Sequence, residues 1–128
     1  MCIRDSFKRH FPTPKPCYSC RINILLIGGT SLIGPHVVKE LFAAHFNVAT
    51  LNRNGQSFFT ETSFACDRNN EQRLLEVVTE YSPDVIVDMI PFTKRQAQIL
   101  VSVIQRTNVR TKVIALSSID VYLSLIHI

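Results

Sequence analysis

The feature that most constrains this chain is a short apolar run that closes on glycine and passes directly into a helical pattern. Residues 22–27 are almost uninterruptedly apolar, Gly28 and Gly29 follow, and Gly34 opens the next segment. A run of that length bounded by glycine predicts a strand buried on both faces, as in a parallel sheet. Beyond it Ile33, Val37, Val38, Leu41 and Phe42 recur at helical spacing. Pro35 is tolerable because it falls in the first turn, where its missing N–H would have no intrahelical partner.

The same alternation continues. Residues 48–51 predict a second strand and 64–66 a third, and Leu74, Leu75, Val78 and Tyr81 form one helical face that Pro83 terminates. Residues 84–90 (DVIVDMI) predict a fourth strand. A helix begins near Thr93 with Ala97, Leu100, Val101 and Ile104 on one stripe, and residues 113–117 predict a fifth strand. Strands separated by helices imply right-handed crossovers, so the expected class is α/β, a doubly wound parallel sheet of about five strands covered on both faces. At 128 residues the chain has room for one such domain, over residues 22–122. The connection 54–63 is polar and reads as surface.

Residues 1–21 carry no period, and Pro12, Pro14 and Pro16 oppose a helix there, so a disordered leader is expected. Those prolines also argue against the amphipathic helix of an organelle transit peptide. This leader holds Arg4, Lys8, Arg9, Lys15 and Arg21 against Asp5 and so accounts for the whole net charge of +4. The remainder is neutral and offers a polyanion no general attraction, which argues against nucleic acid as a partner. No apolar run is long enough to span a bilayer and no secretory signal is apparent, so the expectation is a cytoplasmic protein without a membrane partner. Cys17 and Cys20 have a zinc-ligand spacing, but no second pair or histidine cluster follows, so no metal site is expected and the thiols read as reduced. His10, His36, His45 and His127 are scattered and read as surface or terminal residues.

The chemistry centres on the glycine turn. Gly28 makes a tight turn out of the strand, the helix start after it offers unpaired N–H groups, and Gly34 permits close packing, so Gly28, Thr30, Ser31, Leu32, Ile33 and Gly34 are candidates to hold a pyrophosphate. Between a strand and a helix, such a turn points to a dinucleotide cofactor. This stretch resembles the GxxGxxG opening of the short-chain dehydrogenase/reductase superfamily, in its extended or atypical epimerase/dehydratase branch, with Ser31 at the place of the middle glycine. The resemblance covers about residues 23–122 and implies a Rossmann fold. A serine at that place can donate its hydroxyl to phosphate.

The end of the second strand reads Leu51-Asn52-Arg53, with no Asp or Glu between Leu41 and Gln56. An acidic residue there would hold a ribose 2′-hydroxyl, whereas a guanidinium can pair with a 2′-phosphate, so Asn52 and Arg53 favour NADP over NAD. The alternative, that Arg53 is a solvated loop charge and the cofactor is NAD, stays open. Asp67, with Arg68 beside it, resembles the superfamily position where an aspartate accepts from the adenine amino group; a capping role for Asp67 fits equally. Met89, Ile90 and Pro91 end the fourth strand where a ligand would cross the sheet, although core packing explains them too.

Leu116-Ser117-Ser118-Ile119-Asp120-Val121-Tyr122 resembles the superfamily's SSxxVY segment, which places Ser117 by the cofactor and makes Ser118 the candidate catalytic serine. By that resemblance the serine orients a substrate oxygen while a tyrosine of a YxxxK motif moves the proton. No YxxxK occurs in this sequence, and Ile126 stands four residues beyond Tyr122. Residues 1–6 and 123–128 match nothing around them and resemble translated adapter sequence, so both are expected to be foreign to the natural protein, and the leader as a whole is either disordered or foreign. The expectation is therefore the N-terminal, cofactor-binding part of a larger NAD(P)-dependent epimerase, dehydratase or reductase acting on a small carbinol or carbonyl substrate. The rival reading is a non-catalytic dinucleotide-binding regulator or RNA-binding member of the same superfamily.

Overall fold

The computed structural model describes residues 21–30, 33–56, 62–107 and 110–116. Among the described residues five strands and three helices follow in the order β1 (Asn23–Ile27), α1 (Gly34–Ala43), β2 (Asn47–Asn52), β3 (Thr62–Ala65), α2 (Glu71–Tyr81), β4 (Val85–Asp88), α3 (Lys94–Thr107) and β5 (Lys112–Ala115). All pairings are parallel, in the order β3-β2-β1-β4-β5. The fold class expected from the alternation is thus the one observed. After β1 the chain builds outward through β2 and β3, then returns to lay β4 and β5 on the other side. That reversal opens a crevice at the carboxyl end of β1, where Ile27 lies opposite Leu51 of β2 and Asp88 of β4.

Strand alternation explains why β1 is apolar at consecutive positions. Leu25 and Ile27 pack with Ala49, Leu51 and Ile86 under Leu74, Val77 and Val78 of α2 and Ile99, Leu100 and Val103 of α3. Leu26 points the other way, to Val38 of α1 with Val48 and Met89. A central strand between two helical layers has no solvent face and therefore no polar alternate. Two stripe expectations change. Phe42 and Val101, placed on apolar stripes by their spacing, are exposed, and so are Val113 and Ile114 of β5. The face that α3 buries runs through Ile99, Leu100 and Val103, which turns Val101 outward, and among the described residues β5 pairs with β4 alone.

Local chemistry sets the element ends. Asn70 caps α2 by accepting from the Arg73 N–H at 3.1 Å, and Ser82 closes it in the left-handed conformation at φ 50° before Pro83. Thr93 and Gln96 bracket the start of α3 reciprocally: Thr93 Oγ1 accepts from the Gln96 N–H, and Gln96 Oε1 accepts from the Thr93 N–H, each at 3.2 Å. The N-cap residue of α1, Ile33, makes no side-chain cap bond, and the first turn holds Pro35 and no acidic residue. β4 stops at Asp88 rather than running to residue 90, because the Ile90 N–H donates to Asp88 Oδ1 and the Ile90 carbonyl accepts from Arg68 and the Phe92 N–H instead of a neighbouring strand. Among the described residues no helix is long and apolar enough to cross a membrane.

Candidate functional site

A cavity of about 330 Å³ opens at the carboxyl ends of β1, β2 and β4, within the range of small-ligand sites. Its floor is Ile27 and Gly28. Leu51, Cys66 and Ile90 form apolar walls, Asn52, Arg53, Asn54 and Gln56 form one rim, and Phe92 and Gln96 the other; Thr30 and Arg68 complete the lining.

The glycine turn is shaped by its neighbours. Gly28 has φ +82°, a conformation that L side chains rarely adopt, and its N–H donates to the Leu51 carbonyl at 3.0 Å. A Cβ at residue 28 would stand 2.9 Å from Cγ1 of Ile90, and one at Gly34 would stand 2.5 Å from the carbonyl oxygen of Gly29. The first turn of α1 is therefore drawn against the turn itself, and its N-cap residue Ile33 makes no side-chain bond to the first N–H groups of the helix.

Arg68 lines the cavity and is held there by a contact that the sequence did not reveal. It is buried in a two-pronged ion pair, Nη1 donating to Asp88 Oδ1 at 2.5 Å and Nη2 to Oδ2 at 2.7 Å. Nη1 also donates to the Ile90 carbonyl at 2.8 Å, while Asp88 Oδ1 accepts from the Ile90 N–H at 3.1 Å. The pair thus grips both backbone groups of the residue that walls the glycine turn. Its Nε is the buried side-chain polar atom without a partner among the described residues. Since Asp88 neutralises Arg68, Arg53 supplies the uncompensated charge among the residues lining the cavity. No ion pair among the described residues involves it.

Asp67 is exposed and sits outside the cavity lining. Its carboxylate accepts from the Asn69 N–H at 2.9 Å and from Asn69 Nδ2 at 3.2 Å, so it closes the turn leading to α2 while Asn70 does the capping. Met89 is buried on the α1 side of the sheet, Pro91 is half-buried, and Ile33 stands at the N-cap of α1. Ser31, Leu32, Ser117 and Ser118 lie outside the described residues, as do Cys2, Cys17 and Cys20. Cys66 is a free, buried thiol whose pKa burial pushes up, against a smaller opposing pull from Arg73, so it serves the cavity as an apolar wall and is a poor nucleophile.

Sequence reasoning did not single out Ile27, Leu51, Cys66, Asn54, Gln56, Phe92 or Gln96 as lining. Gln96 had a readable signal, the Thr-x-x-Gln spacing of a capping box at a helix start already placed near Thr93. The others carry none, because their position depends on which strand ends come side by side.

The model of the NAD dependent epimerase/dehydratase family matches residues 24–124. No curated protein sequence matches at a significant level. Solved structures share the fold at low identity. L-threonine dehydrogenase from Clostridium difficile superposes with a TM-score of 0.66 at 16% identity, over 77% of this chain and 37% of that one. dTDP-glucose 4,6-dehydratase from Bacillus anthracis, in complex with NAD, gives 0.66 at 20% identity, over 79% and 39%. UDP-glucose 4-epimerase from Bifidobacterium longum, in complex with NAD+ and UDP, gives 0.65 at 20%, over 78% and 38%. This chain therefore spans less than two fifths of the length of these three proteins. With the glycine turn, the crevice at the strand reversal and a family match over residues 24–124, the chain belongs to the NAD dependent epimerase/dehydratase family.

Proposed function

We propose that this chain is the dinucleotide-binding part of an NADP(H)-dependent epimerase, dehydratase or reductase, in the cytoplasm, acting on a carbinol or carbonyl substrate such as a nucleotide sugar. The observation that carries the reading is a cavity at the strand reversal whose floor is the positive-φ Gly28 and whose uncompensated charge is Arg53. The residues present fit such a cofactor. The Gly28 to Gly34 approach leaves no room for a Cβ where a pyrophosphate would lie against the first N–H groups of α1. Ile90 and Phe92 offer apolar surface to a base, and the Arg53 guanidinium matches a 2′-phosphate. When bound, the nicotinamide would supply hydride donation and acceptance at the substrate carbon. Ser118 would orient the substrate oxygen by hydrogen bonding, with proton movement falling to a tyrosine and lysine that this chain does not contain as YxxxK.

Titration of the full-length protein with NADPH and with NADH tests this reading. NADPH is expected to bind more tightly, and Arg53→Asp to weaken it by about 1–3 kcal/mol, the scale of a hydrogen bond to a charged group. Tighter binding of NADH to the unaltered protein would sink the NADP assignment. Ser31, at the middle-glycine place, favours a second reading, a non-catalytic dinucleotide-binding member of the family. Dinucleotide binding without turnover of any carbonyl or nucleotide-sugar substrate by the full-length protein would select it. Its RNA-binding form is disfavoured by the balanced charge beyond residue 21.

A further inference from the structure

We propose that Asn52 is a positioning residue for cofactor selectivity: its carboxamide staples residues 52–56 into the turn that presents Arg53 to the phosphate of an NADP(H) adenosine ribose. The inference rests on the reading of the cavity given above. Asn52 is the last residue of β2, where an acidic residue would hold a ribose 2′-hydroxyl. Its side chain is engaged within the turn instead. Oδ1 accepts from the backbone N–H of Gln56 at 3.0 Å, and Nδ2 donates to the carbonyl of the same residue. One carboxamide thereby satisfies both backbone groups of Gln56, as a neighbouring strand would.

Two other features hold the same turn. The Ser63 hydroxyl donates to the Gln56 carbonyl at 3.3 Å and accepts from the Thr50 hydroxyl at 3.2 Å, which ties the far end of the turn to β2 and β3. Gly55 makes the reversal at φ +66°, with the space for a Cβ closed to 3.2 Å by the Ala65 methyl. What this leaves outside the staple is Arg53, exposed and on the cavity rim with no ion pair among the described residues. A guanidinium on a loose loop loses much conformational freedom when it engages a phosphate; one on a braced turn loses less.

The residue type follows from the two bonds. Aspartate would accept from the Gln56 N–H but would face the Gln56 carbonyl acceptor to acceptor, and it would set a negative charge beside the phosphate. Asparagine meets both backbone groups and stays neutral.

The test is separate titration of the full-length protein and its variants with NADPH and NADH. Asn52→Ala should lower the ratio of NADPH to NADH affinity roughly tenfold, the scale of one hydrogen bond to a charged group. The same substitution should leave that ratio unmoved when Arg53 is already alanine, because residues that act through one contact are not additive. Gly55→Ala removes no polar group and should lower the ratio in the same direction. If Asn52→Ala leaves the ratio unchanged, or still lowers it in the Arg53→Ala background, Asn52 does not act through Arg53 and the proposal is overturned; so too if Gly55→Ala leaves it unchanged. Failure of the NADP reading looks different. Arg53→Ala would then leave the ratio unmoved in the otherwise unaltered protein, and there would be no phosphate contact for Asn52 to position.

Discussion

Ile90 occupies the space into which any side chain at position 28 would project, so the turn at Gly28 is determined by steric exclusion as well as by its positive φ. Gly28→Val is therefore expected to abolish NADPH binding in calorimetry while leaving much of the fold. Unchanged binding would reduce the turn to a packing feature. Ile90 is held in turn by Arg68 and Asp88, and here the cost of a change is one of burial. Asp88→Ala would strand an unpaired guanidinium in the interior, a loss of about 3–5 kcal/mol measurable as a lower urea midpoint. A midpoint within experimental error of the unaltered protein would show that water reaches the pair. Tyr81 carries a pH signature. Burial, with a smaller contribution from the Asp84 carboxylate, pushes its phenol up to about 12 from an ordinary 10.0, and the hydroxyl donates to the Asn47 carbonyl at 3.0 Å. A pKa raised by folding means that the unfolded chain loses this proton first. The stabilisation is whole below pH 10 and is lost as pH rises towards 12. Urea midpoints across that interval should fall more steeply for the unaltered protein than for Tyr81→Phe, and equal slopes would refute the shift.

At the scale of elements, the helix starts among the described residues differ. The first-turn N–H groups of α2 and α3 are met by Asn70 and by the Thr93–Gln96 exchange, the latter at the edge of the cavity. α1 begins against the glycine turn, and its N-cap residue Ile33 makes no side-chain cap bond. Thr93→Ala should cost about 1 kcal/mol of stability, as loss of an N-cap hydroxyl does, seen as a lower thermal midpoint. No change in midpoint would mean that Gln96 alone holds the start of α3. Helical spacing in the sequence identifies which residues share a face but not how much of that face is covered. Val38 and Leu100 are buried, whereas Phe42 and Val101, on the same predicted stripes, are exposed; along α3 the buried face runs through Ile99, Leu100 and Val103. Strand ends shift by one or two residues for a related reason. The Cys66 N–H still donates to the Asn52 carbonyl at 2.9 Å beyond the end of β3, so pairing fades instead of stopping at a residue type.

For the molecule as a whole, the strand order leaves β5 on an edge with Val113 at 42% and Ile114 at 57% exposure. An apolar strand at a sheet edge invites pairing between copies. The chain as written should therefore elute from size exclusion at an apparent mass that rises with concentration, and Ile114→Lys should reduce that rise. A monomer at every concentration would show the edge to be guarded. The order itself was within reach of the sequence, because alternating strand and helix periods, with right-handed crossovers, admit few arrangements. The glycine turn was also legible, since a φ that only glycine adopts readily is a local property. Other features depended on residues far apart in the chain. Arg68 reads as a cofactor contact beside Asp67, and only the approach of the β3 and β4 ends shows that it is also the partner of Asp88. Asn52 reads as a cofactor-binding residue at the end of the second strand, and only the reversal at Gly55 brings the Gln56 backbone to its carboxamide. Periodicity and backbone preference are written residue by residue, so the sequence alone determined the elements and the turn. Hydrogen-bond partners and exposure are set by which strand ends meet, and the tertiary structure decided those.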